Sequence, residues 1–269
     1  MKNNRRLYGS GPPAVAVVHG GPGAAGELAP LARELGRECG VMEPLQTARS
    51  LRGQVAELKT CLERGICPVT LIGHSYGAFL SLITAAKHPT LVKKLILVGS
   101  AVFEDEYATQ IMSTRRSRIS EADNAGLDSL LETLDTADSI AVKDIVFTKM
   151  GRLLEKADAF DLLPETDNVT SCRYDIYERI WPEVAALRTS GKLLSYAMVI
   201  RCPVVAIHGC YDPHPAEGVW EPLGRTLSNF KFILLENCGH APWRERQAKE
   251  SFFRILRSEL GLDIEYEVD

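Results

Sequence analysis

Along the chain, short runs of consecutive apolar residues alternate with longer stretches in which apolar residues recur every three or four positions. Residues 13–18 (PAVAVV), 40–42 (GVM), 68–72 (PVTLI), 94–98 (KLILV), 203–207 (PVVAI) and 231–235 (KFILL) are of the first kind. They are short, most are rich in β-branched residues, and several are followed by Gly, so they predict strands. Unbroken hydrophobicity means that both faces of a strand are covered, as in a parallel sheet between two helical layers. Residues 27–38, 50–64, 76–87, 216–227 and 245–260 are of the second kind and predict amphipathic helices. Strands alternating with helices, joined by right-handed crossovers, make an α/β fold: a doubly wound, mainly parallel sheet of about six strands.

The alternation breaks between residues 102 and 199. That stretch carries helical patterns at 127–134, 140–154 and 174–187 but no strand run. The chain therefore divides into a sheet core, residues 1–101 and 200–269, and a helical insertion, residues 102–199. No internal repeat or low-complexity tract interrupts either part.

Composition excludes several classes. The 269 residues are 45% hydrophobic and 25% charged, an ordinary globular balance. No apolar run reaches the roughly eighteen residues of a membrane span, so no membrane partner is expected. The N-terminus, MKNNRRLY, is basic but lacks the apolar stretch of a secretory signal, which predicts a cytoplasmic location. The seven cysteines are odd in number and show no C-x-x-C spacing, so reduced thiols are expected rather than a zinc site or disulfide framework. A net charge of -4 gives no basic footprint for nucleic acid. The charge is uneven: residues 101–195 hold 18 Asp and Glu against 11 Lys and Arg.

Four loops carry candidate chemistry. Gly73-His74-Ser75-Tyr76-Gly77 sits between a predicted strand and a predicted helix, the context that G-x-S-x-G requires. Ser75 would occupy the strained tip of the turn as a nucleophile. Glycines two positions either side let strand and helix close up, and the helix N-terminus favours a developing negative charge. His19-Gly20-Gly21-Pro22-Gly23 follows the first strand, and its backbone N–H groups can point into a pocket. Gly21 and Tyr76 are the expected oxyanion-hole donors. A phosphate loop is the competing reading, but G-x-x-x-x-G-K-[ST] is absent.

Asp212 follows the strand at 203–207, at the sheet edge where open α/β sheets bind ligands. Glu104 and Asp105, after the strand at 94–98, are the alternative acids. His240 follows the last strand and completes the chain order Ser, Asp, His. It would take the Ser75 proton and return it to the leaving group, with Asp212 fixing its tautomer. His19, His74, His88, His208 and His214 show no metal-ligand spacing. His74 and His208 are expected to brace their turns, and His88 to pack or cap at a helix end. No metal or cofactor is expected. Cys210 and Cys238 each lie two residues before a proposed triad member and read as small packing residues, with a redox-sensitive thiol pair as the alternative.

Together these segments resemble the α/β-hydrolase superfamily over residues 10–100 and 200–260. The resemblance implies a serine hydrolase working through an acyl-enzyme on a small-molecule or short-peptide substrate, with residues 102–199 as a cap roofing the site. HGGPG also resembles the proline iminopeptidase group, which usually has Asp-x-Arg-Gly after the next strand; residues 43–50 here read EPLQTARS. An acidic insertion would suit a substrate amino group, through residues such as Glu165 or Asp167. Members of the superfamily commonly begin with a β-hairpin before the oxyanion strand. Only residues 1–12 precede that strand here, which implies a trimmed sheet. Two other readings stand beside the hydrolase. One is a binding protein that keeps the fold without turnover. The other is cofactor-free C–C hydrolysis or peracid formation with the same triad.

Overall fold

The computed structural model describes residues 4–164 and 172–262. Six of its strands coincide with the six apolar runs, displaced by at most two residues at either end: β2 (Val15–Val18), β3 (Val41–Pro44), β4 (Val69–His74), β5 (Val92–Val98), β6 (Val204–Gly209) and β7 (Phe230–Leu235). A seventh, β1 (Arg5–Tyr8), makes the sheet one strand larger than the pattern predicts. The order is β1-β3-β2-β4-β5-β6-β7. All pairs are parallel except β1 with β3, where Arg5 faces Pro44 and Tyr8 faces Val41. An edge strand needs little apolar character, so Arg-Arg-Leu-Tyr leaves no periodic signal. It is held by the Tyr8 hydroxyl, which donates to buried Glu43 Oε2 at 2.6 Å.

The helices on the two faces are α1 (Ala29–Leu35), α2 (Leu51–Leu62) and α3 (Tyr76–Lys87), with α10 (Glu217–Gly224) and α11 (Lys249–Leu260) after the insertion. Successive strand residues point to opposite layers. Ala16, Val18, Leu71, Leu95 and Leu97 pack with Phe79 and Leu82 of α3 and Leu223 of α10. Val15, Val17, Ile72, Ile96 and Val205 pack with Leu31 and Leu35 of α1 and Phe252 of α11. Each large side chain so buried contributes about 1.5–3 kcal/mol, which is what fixes the sheet between its helices.

Two helices start two or more residues later than their patterns. α1 begins at Ala29 with Pro30 in its first turn, where proline costs nothing because that N–H is unpaired anyway; Glu27, just before it, turns its carboxylate to the Gly20 N–H. α11 begins at Lys249 because Glu245 is used otherwise: its carboxylate accepts from the N–H groups of Phe160, Asp161 and Gly239.

Between β5 and β6 lie α4 (Asp105–Ala108), α5 (Ile111–Ser117), α6 (Glu121–Thr136), α7 (Ile140–Asp158), α8 (Tyr174–Thr189) and α9 (Lys192–Ala197), and no strand among the described residues. This segment is not all roof. Ile176, Ile180 and Val184 of α8 and Leu193 of α9 join the same buried cluster as Phe79. No helix among the described residues is long and apolar enough to cross a membrane.

Candidate active site

Ser75 stands between the last residue of β4 and the first of α3, at φ 52° and ψ -119°. Among the described non-glycine residues only Ser75 and Asn237 have positive φ. Such a conformation costs on the order of 1–3 kcal/mol and persists only where the surroundings enforce it. Here the Ser75 N–H donates to Val98 O at 3.1 Å, and the glycines do the rest. A Cβ on Gly73 would run into the Gly77 carbonyl oxygen, and one on Gly77 into that of Val18.

Tyr76 opens α3, so its N–H has no intrahelical acceptor. Its side chain is turned away into the core, the hydroxyl donating to Gln54 Oε1 at 2.8 Å. In the glycine loop, the Gly20 N–H is taken by Glu27 Oε2 at 2.7 Å. Gly21 is next along and lines the cavity beside Ser75 and Tyr76.

Asp212 and His240 come together from the loops after β6 and β7: His240 Nδ1 donates to Asp212 Oδ2 at 2.7 Å. The Asp212 side chain is fully buried. Burial pushes its pKa up, but the imidazoles of His240, His214 and His208 overcome that and hold it well below the usual carboxylate range. For His240, burial pushes down, and the Asp212 carboxylate prevails and holds it above the ordinary imidazole value. Ser75 and His240 face the same cavity, and no hydrogen bond joins them in this structure.

Glu104 and Asp105 are engaged elsewhere, Glu104 with Arg225 and Asp105 with Arg188 at 2.5 Å and Thr189. His208 Nε2 donates to His214 O at 2.8 Å, and His74 Nε2 to His240 O at 3.1 Å, so both brace turns of the site. His88 closes α3 as its C-terminal cap residue. All seven cysteines are free. Cys238 is buried, which pushes its thiol pKa far up, and Cys210 is exposed. Glu165 and Asp167 lie outside the described residues.

Two groups at the site have no signal in the sequence pattern. His214 donates its Nδ1–H to Asp212 Oδ1 at 2.7 Å. Glu27 accepts from Gly20 and lies 3.2 Å from His74 Nδ1. Burial pushes the Glu27 pKa up, but His74 and the hydrogen bonds carry it down to about 2. Only a glutamate seven residues past a glycine, and an Asp-Pro-His step, could have drawn attention to them. The ligand atoms of Asp212, His214 and His240 lie within 4.8 Å of one another, close enough for one metal ion. Each imidazole Nδ1, however, spends its proton on the carboxylate at 2.7 Å, so they form a hydrogen-bonded set rather than a ligand set.

The cavity holds about 480 Å³. The core supplies Gly21, Ser75, Tyr76 and His240, and the insertion supplies a wall that includes Phe147, Tyr177 and Trp181. Tyr177 and Trp181 stack at 6.0 Å. Arg115 of α5 and Asp158 of α7 form a two-pronged ion pair on the same wall, both contacts 2.7 Å. The Asp158 backbone carbonyl accepts the His240 N–H at 2.9 Å, which ties the insertion to the loop that carries His240.

The profile of a family described as Alpha/beta hydrolase family matches residues 14–251. No curated protein sequence matches the chain. Among solved structures it is similar to VinJ, with TM-score 0.70, 17% identity, and 97% of this chain and 95% of that chain covered. It is similar to the thioesterase domain from the curacin biosynthetic pathway, with TM-score 0.62, 18% identity and 94% of each chain covered. The enol-lactonase from Burkholderia xenovorans LB400 gives TM-score 0.58 and 16% identity, with 96% of this chain and 95% of that chain covered.

Proposed function

The chain belongs to the alpha/beta hydrolase family, and on that premise we propose that it is a serine hydrolase that cleaves a small ester, amide or peptide bond through an acyl-enzyme at Ser75. The observation that carries this reading is the strained Ser75 at the floor of a cavity shared with His240, whose other nitrogen is held by buried Asp212.

In this reading Ser75 Oγ attacks the substrate carbonyl carbon while His240 Nε2 takes the hydroxyl proton. The negative charge moves to the carbonyl oxygen, where the N–H groups of Gly21 and Tyr76 receive it. As the tetrahedral intermediate collapses, the bond to the leaving group breaks and His240 gives that group the proton. Water then repeats the sequence: His240 takes its proton, the oxygen attacks the acyl carbon, and Ser75 recovers its hydrogen as the acid departs. The imidazolium formed at each step is stabilised by ionised Asp212.

Charge in the cavity supports esters over substrates with a free amine. An ammonium is held best by a carboxylate with no cation or donor already on it, and the described carboxylates lining the cavity are all engaged: Glu27 with Gly20 and His74, Glu155 with Arg244, Asp158 with Arg115, and Glu245 with three backbone N–H groups. The thioesterase and lactonase names among the similar structures point the same way. A panel of p-nitrophenyl esters and aminoacyl arylamides tests it. Aryl esters should turn over with arylamides about a hundredfold slower or worse, a gap of about 2.7 kcal/mol in barrier. Preferential arylamide cleavage would instead make the chain an N-terminal exopeptidase. Saturable ligand binding without turnover would make it a binding protein.

A further inference from the structure

Asp212 carries two imidazoles where an acid–base couple needs one. His240 Nδ1 donates to Oδ2 and His214 Nδ1 to Oδ1, both at 2.7 Å, and the His214 backbone N–H adds a third bond to Oδ1 at 2.9 Å. An ionised carboxylate only accepts, so both Nδ1 atoms carry their protons. His214 is not a loose surface residue. It is 8% exposed, its ring stacks on that of His240 at 4.7 Å and 28°, and its carbonyl is held by His208. Pro213 and Pro215 flank it and restrict the backbone on both sides.

We propose that His214 is a positioning residue that locks the plane of the Asp212 carboxylate and takes a share of its negative charge, so that His240 is oriented by a partner of tempered pull. The inference rests on reading Asp212 and His240 as the acid–base couple. A carboxylate held on one oxygen only by a backbone N–H can swing about its own axis. Its charge then concentrates on the remaining imidazole, which becomes harder to deprotonate and a poorer base near neutral pH. Burial pushes His214 itself down to about 4 against the attraction of Asp212, so at neutral pH it serves as an uncharged donor. The other groups facing this set are His208 from β6, His74 from the end of β4, Arg115 from α5 and Asp158 from α7. None of them is itself altered when only His214 is changed.

The test is a nitrogen-15 NMR titration of the histidines beside a pH profile of ester hydrolysis, on wild type, His214→Phe and His214→Asn. Phe keeps a stacked ring without a donor, and Asn keeps a donor without a ring. In His214→Phe the His240 titration should move up by about half a unit to one unit. The acid limb of kcat/KM should follow it, with kcat falling more than KM changes. His214→Asn should return both toward wild type. An unmoved His240 titration in His214→Phe overturns the proposal. So does a displaced one in His214→Asn, which decides the matter even if the Phe variant folds poorly. The NMR arm needs no turnover: a shifted titration in a protein that hydrolyses nothing would count against the hydrolase reading and leave the role of His214 standing.

Discussion

Replacing Asp212 by Asn changes one oxygen to an amide nitrogen at a fully buried carboxylate of the site. Two imidazoles now compete for acceptors where only one oxygen remains, so one of them must turn or change tautomer. The loss can be sized from the geometry. When His240 becomes an imidazolium, its charge centre and that of Asp212 are about 4 Å apart, worth about 4 kcal/mol at an effective dielectric of about 20. That is on the order of a thousandfold in kcat, and a wrong tautomer on His240 carries the loss toward 10⁴. KM should stay within about threefold, because Asp212 is fully buried and is not part of the cavity wall, and an interaction made only in the transition state leaves ground-state binding alone. Steady-state hydrolysis of p-nitrophenyl butyrate, with a thermal melt to show that the variant is folded, reads both numbers. A kcat within tenfold of wild type, or a loss expressed mainly in KM, would refute the role given to Asp212.

Three further outcomes are expected. His214 is pushed down to about 4 in the folded protein; its unfolded value is near 6.5, so below that pH the unfolded chain binds a proton the folded one refuses, and stability falls by roughly 2 kcal/mol from pH 7 to 5. His240, raised, works in the opposite direction, so urea denaturation of His214→Phe should lose less stability over this window than wild type; an equal loss contradicts the assignment. Gly77→Ala drives a Cβ into the Val18 carbonyl oxygen, and should cost about 3 kcal/mol as overpacking beside a fixed strand; an unchanged melting temperature would show that the elbow has slack. Arg115→Met strands the Asp158 carboxylate, at a cost of about 3–5 kcal/mol, and Arg115→Met with Asp158→Leu should recover most of it; strictly additive losses in urea would mean that the pair is not coupled.

The sheet, and the three loops that bring Ser75, Asp212 and His240 together, were legible because each left a local trace. Continuous apolar runs mark strands covered on both faces; Ser75 follows the end of β4 directly, and Asp212 and His240 lie on the loops after β6 and β7. β1 left none, since an edge strand built from two arginines is stabilised by Glu43 across the sheet rather than by its own hydrophobicity. The insertion was legible as helices but not as architecture. The same three- and four-residue spacing serves α8, which enters the core, and α7, which walls the cavity. Glu27 and His214 were illegible for a different reason. Their roles come from hydrogen bonds made after folding, to Gly20, His74 and Asp212, and a single polar residue in a loop has no periodicity to betray it.

The most direct test of an activated Ser75 is labelling by a fluorophosphonate probe, with the modified peptide mapped by mass spectrometry, on wild type and on Ser75→Ala and His240→Ala variants shown to be folded. The structure predicts a single label on Ser75 in wild type, none in Ser75→Ala, and labelling slowed by orders of magnitude in His240→Ala. No labelling of folded wild type, or a label that survives in Ser75→Ala, would contradict it.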